Sequence, residues 1–361
     1  MKHVISERLP ATDRTAWSKA RYDADCIAQD AGFVPIIVEG IENRAQASIV
    51  GRLLGHLSMA RRWRRAFQQI PAGASVLLQL PAVSNSLHLA RLAATLSRRA
   101  QVIGLVHDLE SLRMVTDATV PRSRRLRMRV EELGVLHACS RLIVHNEAMA
   151  TLLKGMNIDT PATVLGIFDY LIPEREDGTT WAQAQAHPER DRLVFAGNLS
   201  PDKSGFLYEL PPGLRMELFG ANFRPTESPG VTYHGSFAAN DLPAALLGDY
   251  GLVWDGPSAV TCTGPYGAYL RYNNPHKLSF FLAMGFPVVV WKQMALAPFV
   301  EAHHVGIAVD SIDEVPSRLA SIDEAEYQRL LGHAATVGAA LRRGDCLHDA
   351  LDGHSHFDGK R

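Results

Sequence analysis

Gly264-Pro265-Tyr266-Gly267-Ala268-Tyr269-Leu270-Arg271-Tyr272-Asn273-Asn274-Pro275-His276-Lys277 runs into Leu278-Ser279-Phe280-Phe281-Leu282-Ala283-Met284-Gly285, and then into Phe286-Pro287-Val288-Val289-Val290-Trp291. The centre of this stretch reads as a helix. Asn274 suits the N-cap, and Pro275 suits the first helical position, where its missing N–H costs nothing. The apolar run ends at Met284, Gly285 fits a left-handed C-terminal residue, and Pro287 marks the stop. Val288 to Trp291 then reads as a buried strand. A loop rich in Gly, Tyr, Arg and Asn therefore delivers a helix N-terminus, and the helix delivers a strand. Lys277 is out of place in that first turn, because a cation there opposes the helix dipole. A phosphate held by free backbone N–H groups, Lys277 and Arg271 would make the arrangement favourable. A lysine extended into water is the plain alternative.

The same alternation extends outward in both directions. Upstream lie Arg192 to Ala196, followed by Gly197-Asn198-Leu199-Ser200-Pro201-Asp202-Lys203, and then Leu214 to Gly220, Val231 to Ser236 and Tyr250 to Trp254. Downstream, Gly306 to Val309 is a last strand. In the first half, strands at Pro35–Val38, Ser75–Pro81, Gln101–His107, Arg141–His145 and Ala162–Leu165 alternate with helical segments over 12–31, 44–70 and 86–99. A basic helix bearing Arg122 to Arg129 and another capped by Asn146 continue the pattern. Such repetition predicts an α/β protein of two Rossmann-like, doubly wound parallel-sheet domains facing across a cleft. A polar interval over 173–190 reads as a structureless linker. The expected division is a first Rossmann-like domain over 1–172, a second over 173–335, and a C-terminal helix and tail over 336–361. Ser311 and Ser321 each read as a cap before a helix. His348, His354 and His356 read as part of a frayed terminus.

Composition bounds the function. The chain has 361 residues, 47% hydrophobic and 21% charged, with a net charge of −1, which predicts a soluble globular protein and no general affinity for nucleic acid. Cys26, Cys139, Cys262 and Cys346 lack C-x-x-C spacing, which argues against a zinc site or disulfide framework and for a reducing cytoplasm. No transmembrane span or signal peptide is evident. Neither a G-x-G-x-x-G after a strand nor a Walker motif occurs.

Active groups of parallel sheets gather beyond the carboxyl ends of the strands. His107, Asp108, Glu110 and Arg113 stand at such an end. Asp108, Glu110 and His107 are candidate bases for an acceptor hydroxyl. Their plain alternatives are a loop-structuring carboxylate and a buried hydrogen-bonding histidine, and for Arg113 a salt bridge. Asp23 and Asp25 make a D-x-D, but inside a helix i and i+2 do not face together, so two solvated charges are expected. Tyr266, Tyr269 and Tyr272 suit stacking on a base or lining a sugar pocket, with Tyr269 the readiest to be core. Trp254 is expected in the core, and His276 packs or caps. Arg61 to Arg65 and Arg122 to Arg129 read either as solvated helix faces, paired with Glu131 and Glu132, or as a surface for anionic membrane.

Tyr272-Asn273-Asn274-Pro275-His276-Lys277-Leu278, followed by Ala283-Met284-Gly285-Phe286-Pro287-Val288-Val289-Val290, closely resembles bacterial sugar-nucleotide glycosyltransferases of the GT-B fold. The nearest group is that of the streptococcal adhesin glucosyltransferases and the β-1,6-galactofuranosyltransferases. Thr15 with Ser18-Lys19-Ala20-Arg21, Val106 to Arg113, Val144 to Met149, Gly166 to Leu171, Phe195 to Leu199 and Tyr233 to Ser236 carry the resemblance further. It spans roughly Thr12 to Asp310. The resemblance implies a transfer of glucose, galactose or galactofuranose from a UDP-sugar to a glycan, glycolipid or glycoprotein, with no metal or other cofactor. By motif match, Asn198, Lys203, Tyr233, Arg271, Tyr272, Asn273, Asn274 and Lys277 become candidate donor contacts. The resemblance implies that the second domain, 173–335, holds the nucleotide-sugar and the first, 1–172, is the acceptor side, from which Thr15 would approach the sugar or acceptor. The resemblance also implies self-association. A catalytically inactive binding partner of the same fold and a sugar-nucleotide epimerase or hydrolase are the alternatives.

Overall fold

The computed structural model describes residues 1–8, 16–40, 49–82, 88–113, 122–185, 190–226, 228, 230–239 and 241–357; within these, the side chains of 16, 17, 49–53, 113, 122–128, 184 and 185 are outside the description. The candidate Thr15 therefore lies outside the described residues, as do the side chains of Arg113 and of Arg122 to Arg127. The chain forms two compact units: Met1–Gly166 together with Leu347–Arg361, and Ile167–Cys346.

The first unit is built on strands β1 (Lys2–Arg8), β2 (Val34–Glu39), β3 (Ser75–Leu80), β4 (Gln101–Val106), β5 (Arg141–Val144) and β6 (Ala162–Val164). They lie in the order β2-β1-β3-β4-β5-β6, every pairing parallel. β1 was not expected from the sequence. Its apolar centre is only Val4 and Ile5, framed by Lys2, His3, Glu7 and Arg8, too short a run to stand out. Yet it pairs along both edges, Val4 with Pro35 and with Leu77, which makes it an interior strand of the sheet.

The second unit carries β7 (Arg192–Asn198), β8 (Arg215–Ala221), β9 (Val231–Tyr233), β10 (Tyr250–Val253), β11 (Val288–Trp291) and β12 (Gly306–Val309). Their order is β12-β11-β10-β7-β8-β9, again all parallel. Within the unit this is the doubly wound order in which the sequence direction reverses between its first and fourth strands. All residues of β10 and β11 are buried, as a parallel sheet covered by helices requires.

The stretch that decides the fold differs from expectation at its start. Gly264–Tyr269 is a short helix rather than loop. The next helix is His276–Ala283, and its N-cap is Pro275, extended at φ −68 and ψ 129, with no side-chain cap bond. Asn274 is one residue too early to cap and is instead buried at 2% exposure. Gly285 takes φ +83 after the C-cap Met284.

Three further expectations change. The interval 173–190 is not structureless: Trp181–Gln185 is helical, and the Ala182 N–H donates to the Met284 carbonyl at 3.0 Å, so it packs within the second unit. Asp323, not Ser321, caps the helix Glu324–Arg343, accepting from the Glu326 N–H at 2.8 Å. The tail is not frayed up to residue 357. Helix Asp345–Leu351 leads into it, Leu347, Ala350 and Leu351 are buried, and His356 bonds Asp349 at 2.6 Å.

Candidate functional site

In the second unit the reversal of strand order puts the carboxyl ends of β7 and β10 side by side. Asn198 ends β7, and Trp254-Asp255 follows β10. The side-chain oxygen of Asn198 accepts from Ser200 N–H at 3.1 Å and from Asn222 at 3.0 Å, which closes the turn into the helix Pro201–Ser204. Lys277 comes from the first turn of His276–Ala283. Its stem passes over Gly197, where an added Cβ would sit 3.8 Å from Lys277 Cδ. Its ammonium donates to Asp255 Oδ1 at 2.8 Å and to the Trp254 carbonyl at 2.9 Å, and lies 4.4 Å from the Phe195 ring centroid.

Lys277 thus neither extends into water nor waits unpaired. Burial lowers its pKa below the ordinary lysine value, Asp255 opposes that, and the nearby charge of Lys203 adds to the lowering. Lys203 itself lies 5.3 Å over the Tyr266 ring. Arg271 donates to Gln293 at 2.6 Å and stacks 4.6 Å over the buried Trp291 ring. The Cys262 thiol, whose pKa burial raises, feels Asp255, Lys277 and Arg271 together, which places these charges in one neighbourhood.

The remaining candidates sit around these. Asn273 and Asn274 form the approach to the helix, and the Asn273 side-chain oxygen is buried with no hydrogen-bond donor on it among the described residues. Buried acceptors are rarely left unsatisfied, so this oxygen is open to a further donor. Tyr272 is half-buried beside it. Tyr233 ends β9; its hydroxyl donates to the Gly220 carbonyl at 2.9 Å, and its ring, 41% exposed, stacks 4.4 Å from Phe223. His276 stacks on Phe168 with centroids 4.5 Å apart, a packing role. Tyr269 and Trp254 are buried in the core.

The first unit has its own polar cluster, beyond the carboxyl ends of β1, β3 and β4. Arg21, on the helix Ala16–Asp30, is buried at 8% exposure. Its guanidinium donates to the Pro81 carbonyl and lies 3.7 Å from Glu7. Burial lowers the Arg21 pKa, and Glu7, Asp108, Asp25 and Glu110 all oppose that lowering. Gln79 donates from its Nε2 to Asp25 Oδ1 at 2.7 Å and to the Arg21 carbonyl at 3.3 Å. A carbonyl only accepts, so this Gln79 nitrogen is the amide donor and its oxygen faces His107 Nε2 at 2.7 Å. His107 therefore carries a proton on Nε2, and that nitrogen is not available as a base.

Asp25 is raised to about 6 by burial, against the hydrogen bond from Gln79 and the charge of Arg21. Asp23 pairs with Lys19 and is 2% exposed. The expected pair of solvated helix charges is thus two interior carboxylates with separate partners. Glu132 accepts the backbone N–H groups of Glu110 at 2.8 Å and Ser111 at 3.1 Å, and burial raises its pKa to about 7. It is committed to this loop rather than to the arginine helices. A pocket of about 500 Å³, counted with its open mouth, lies between Pro81, Leu89, Asp108, Glu110, Glu132 and Leu136. Among the described residues no group of three or more His, Cys, Asp or Glu is arranged to hold a metal ion, and no helix is long and apolar enough to cross a membrane.

A model of glucosyltransferase 3-like N-terminal domains matches residues 2–167, and one of glucosyltransferase 3-like C-terminal domains matches residues 193–353. The chain belongs to the glucosyltransferase 3-like family. It is 31% identical over 260 residues to the β-1,6-galactofuranosyltransferase WbbI of Escherichia coli (strain K12), covering 70% of each chain. It is 29% identical over 194 residues to glucosyltransferase 3 of Streptococcus parasanguinis, covering 53% of this chain and 52% of that one. Among solved structures, the sucrose-phosphate synthase of Thermosynechococcus elongatus superposes with a TM-score of 0.62 at 14% identity over 98% of both chains. An α-glucosyltransferase solved with UDP and a 13-mer DNA gives 0.54 at 11% identity, over 97% of this chain and 98% of that one. The fold is the two-domain, Rossmann-like GT-B fold, and this glucosyltransferase 3-like chain is a glycosyltransferase.

Sequence reasoning passed over Asp255, Arg21 and Gln79. Asp255 was within reach, because it follows a strand at the reversal point, the place where the site of such a sheet is expected. Arg21 and Gln79 were not. Nothing in a polar residue's local pattern shows that the fold buries it among carboxylates.

Proposed function

We propose that this glycosyltransferase transfers a hexosyl group, glucose, galactose or galactofuranose, from a UDP-sugar to a glycan or glycoconjugate acceptor, without a metal ion. The observation that carries the reading is the β7/β10 reversal point of the second unit. There Lys203, Lys277 and Asp255 meet a helix N-terminus that Asn273 leads into, its buried side-chain oxygen without a donor among the described residues. A donor diphosphate at such a terminus meets free N–H groups and positive dipole. The charge that grows on the leaving diphosphate falls to Lys203, Arg271 and the helix terminus, with Lys277 holding Asp255 in register. Tyr272, Asn274, Asn198 and the exposed face of Tyr233 supply base and ribose contacts. In the first unit Asp108 or Glu110 takes the acceptor proton, oriented by Arg21, while His107 fixes the loop. The relatives' names support the sugar class.

The test is thermal unfolding of the full chain with UDP, GDP, ADP and NAD in parallel. A ligand at a hundred times its Kd adds about 2.7 kcal/mol to the native state. UDP alone is expected to raise the midpoint. A rise with another nucleotide and none with UDP would overturn the donor assignment.

A further inference from the structure

The helix Ile49–Gln68 holds five arginines, Arg52, Arg61, Arg62, Arg64 and Arg65, and no acidic residue. One face carries Met59, Trp63, Ala66 and Phe67, all buried. Arg62 leans to the side and donates to the Glu39 and Gly40 carbonyls at 2.6 and 3.1 Å. Leu54, Leu57, Arg61, Arg64, Arg65 and Gln68 are exposed, Leu54 at 60% and Leu57 at 42%. At 3.6 residues per turn these six fall within an arc of about 100°, opposite the buried face. Among the described residues no carboxylate pairs with Arg61, Arg64 or Arg65. The chain as a whole carries a net charge of −1, so this face is a local departure from its balance.

We infer that this face docks on an anionic lipid bilayer. Charge complementarity selects the occupant. Two exposed leucines toward the N-terminal end of this face and three arginines without a carboxylate partner among the described residues toward its C-terminal end are the two components of interfacial binding: an apolar wedge into the acyl boundary and cations at the headgroups. Arginine also binds phosphate in the planar, bidentate manner a phosphodiester offers. The stems of Arg61 and Arg64 add apolar length to the same face. A surface that merely kept the protein in solution would need neither exposed leucine.

The experiment is co-sedimentation of the full chain with vesicles of pure phosphatidylcholine and with vesicles containing phosphatidylglycerol. The chain should pellet with the anionic vesicles at low salt and be released by high salt. Arg61→Gln/Arg64→Gln/Arg65→Gln should cut that binding at least tenfold. Leu54→Ser/Leu57→Ser should weaken it while leaving its salt dependence in place. All five positions are exposed, so both variants should keep the wild-type unfolding midpoint, measured alongside. Failure to pellet with anionic vesicles overturns the inference. So does equal binding to neutral vesicles, undiminished binding by the arginine variant, or abolition of the interaction by a DNA duplex that itself binds the same arginines more tightly.

Discussion

Lys277 and Asp255 share one buried contact, and each is costly without the other. Taking one charge from a buried pair leaves the second uncompensated, which costs more than the pair contributes. Lys277→Ala should therefore weaken UDP binding at least tenfold by titration calorimetry and lower stability by roughly 3 kcal/mol. Lys277→Ala/Asp255→Ala should recover part of the stability and none of the UDP affinity; additive losses would separate the two residues. Glu132 gives a second prediction at this scale. Its proton leaves near the ordinary 4.5 in the unfolded chain and near about 7 in the folded one. Between those values the native state binds more protons, so stability falls as pH rises from about 4.5 to about 7 and then levels. Asp25, at about 6, acts in the same direction over a lower window. Urea unfolding at steps across this range should show Glu132→Gln with a shallower decline, by roughly 3 kcal/mol over the window. Parallel profiles would mean that Glu132 titrates normally.

The helix His276–Ala283 owes its position to a neighbour that lacks a side chain. Gly338, in Glu324–Arg343, faces it so closely that a Cβ would lie 2.1 Å from the Leu282 carbonyl oxygen. Gly338→Ala should cost about 1–3 kcal/mol as an overpacked contact, and it should weaken UDP binding because the helix carrying Lys277 must shift. Lost stability with unchanged UDP affinity would place the strain elsewhere. This glycine was invisible as such in the sequence, where a helix interior only disfavours it. The helix itself was legible: Pro275, the apolar run, Gly285 and Val288 to Trp291 are local signals, and they predicted the element to within a residue or two. The cap was misplaced because propensity favours Asn, while the buried position of Asn274 is set by packing. β1 was missed for a related reason. Its two central apolar residues are a strand only because β2 and β3 pair with it along both edges. The ends of β7 and β10 were legible as a site through topology. The Arg21 cluster was not, since its members come from β1, β3, the first helix and the loop after β4.

At the scale of the whole chain, the first unit is completed by its last residues. The second unit ends as Glu324–Arg343 stops at Gly344, left-handed at φ +81, and the chain re-enters the first unit at Leu347. The C-terminal domain match runs through residue 353, so sequence similarity alone draws the border in a different place from packing. What receives the segment is Arg141 at the start of β5. It donates to the carbonyls of Ala350 and Leu351, both at 2.8 Å, and to Thr163 on β6 at 3.0 Å. Those carbonyls close the helix Asp345–Leu351, where backbone acceptors have no partner within the helix. A guanidinium there satisfies two of them and complements the negative end of the dipole. Removing it takes the guanidinium donor from the Leu351 carbonyl and leaves the Ala350 carbonyl only the Gly353 N–H at 3.1 Å, beside the buried Leu347, Ala350 and Leu351. Arg141→Ala should thus cost about 2 kcal/mol and do so unevenly. Native-state hydrogen exchange should rise in 345–352 and along β5 and β6, while β10 and β11 keep their protection. Equal loss in both sheets would mean that the terminal segment supports the second unit as well, and that the border at Cys346 is not an energetic one.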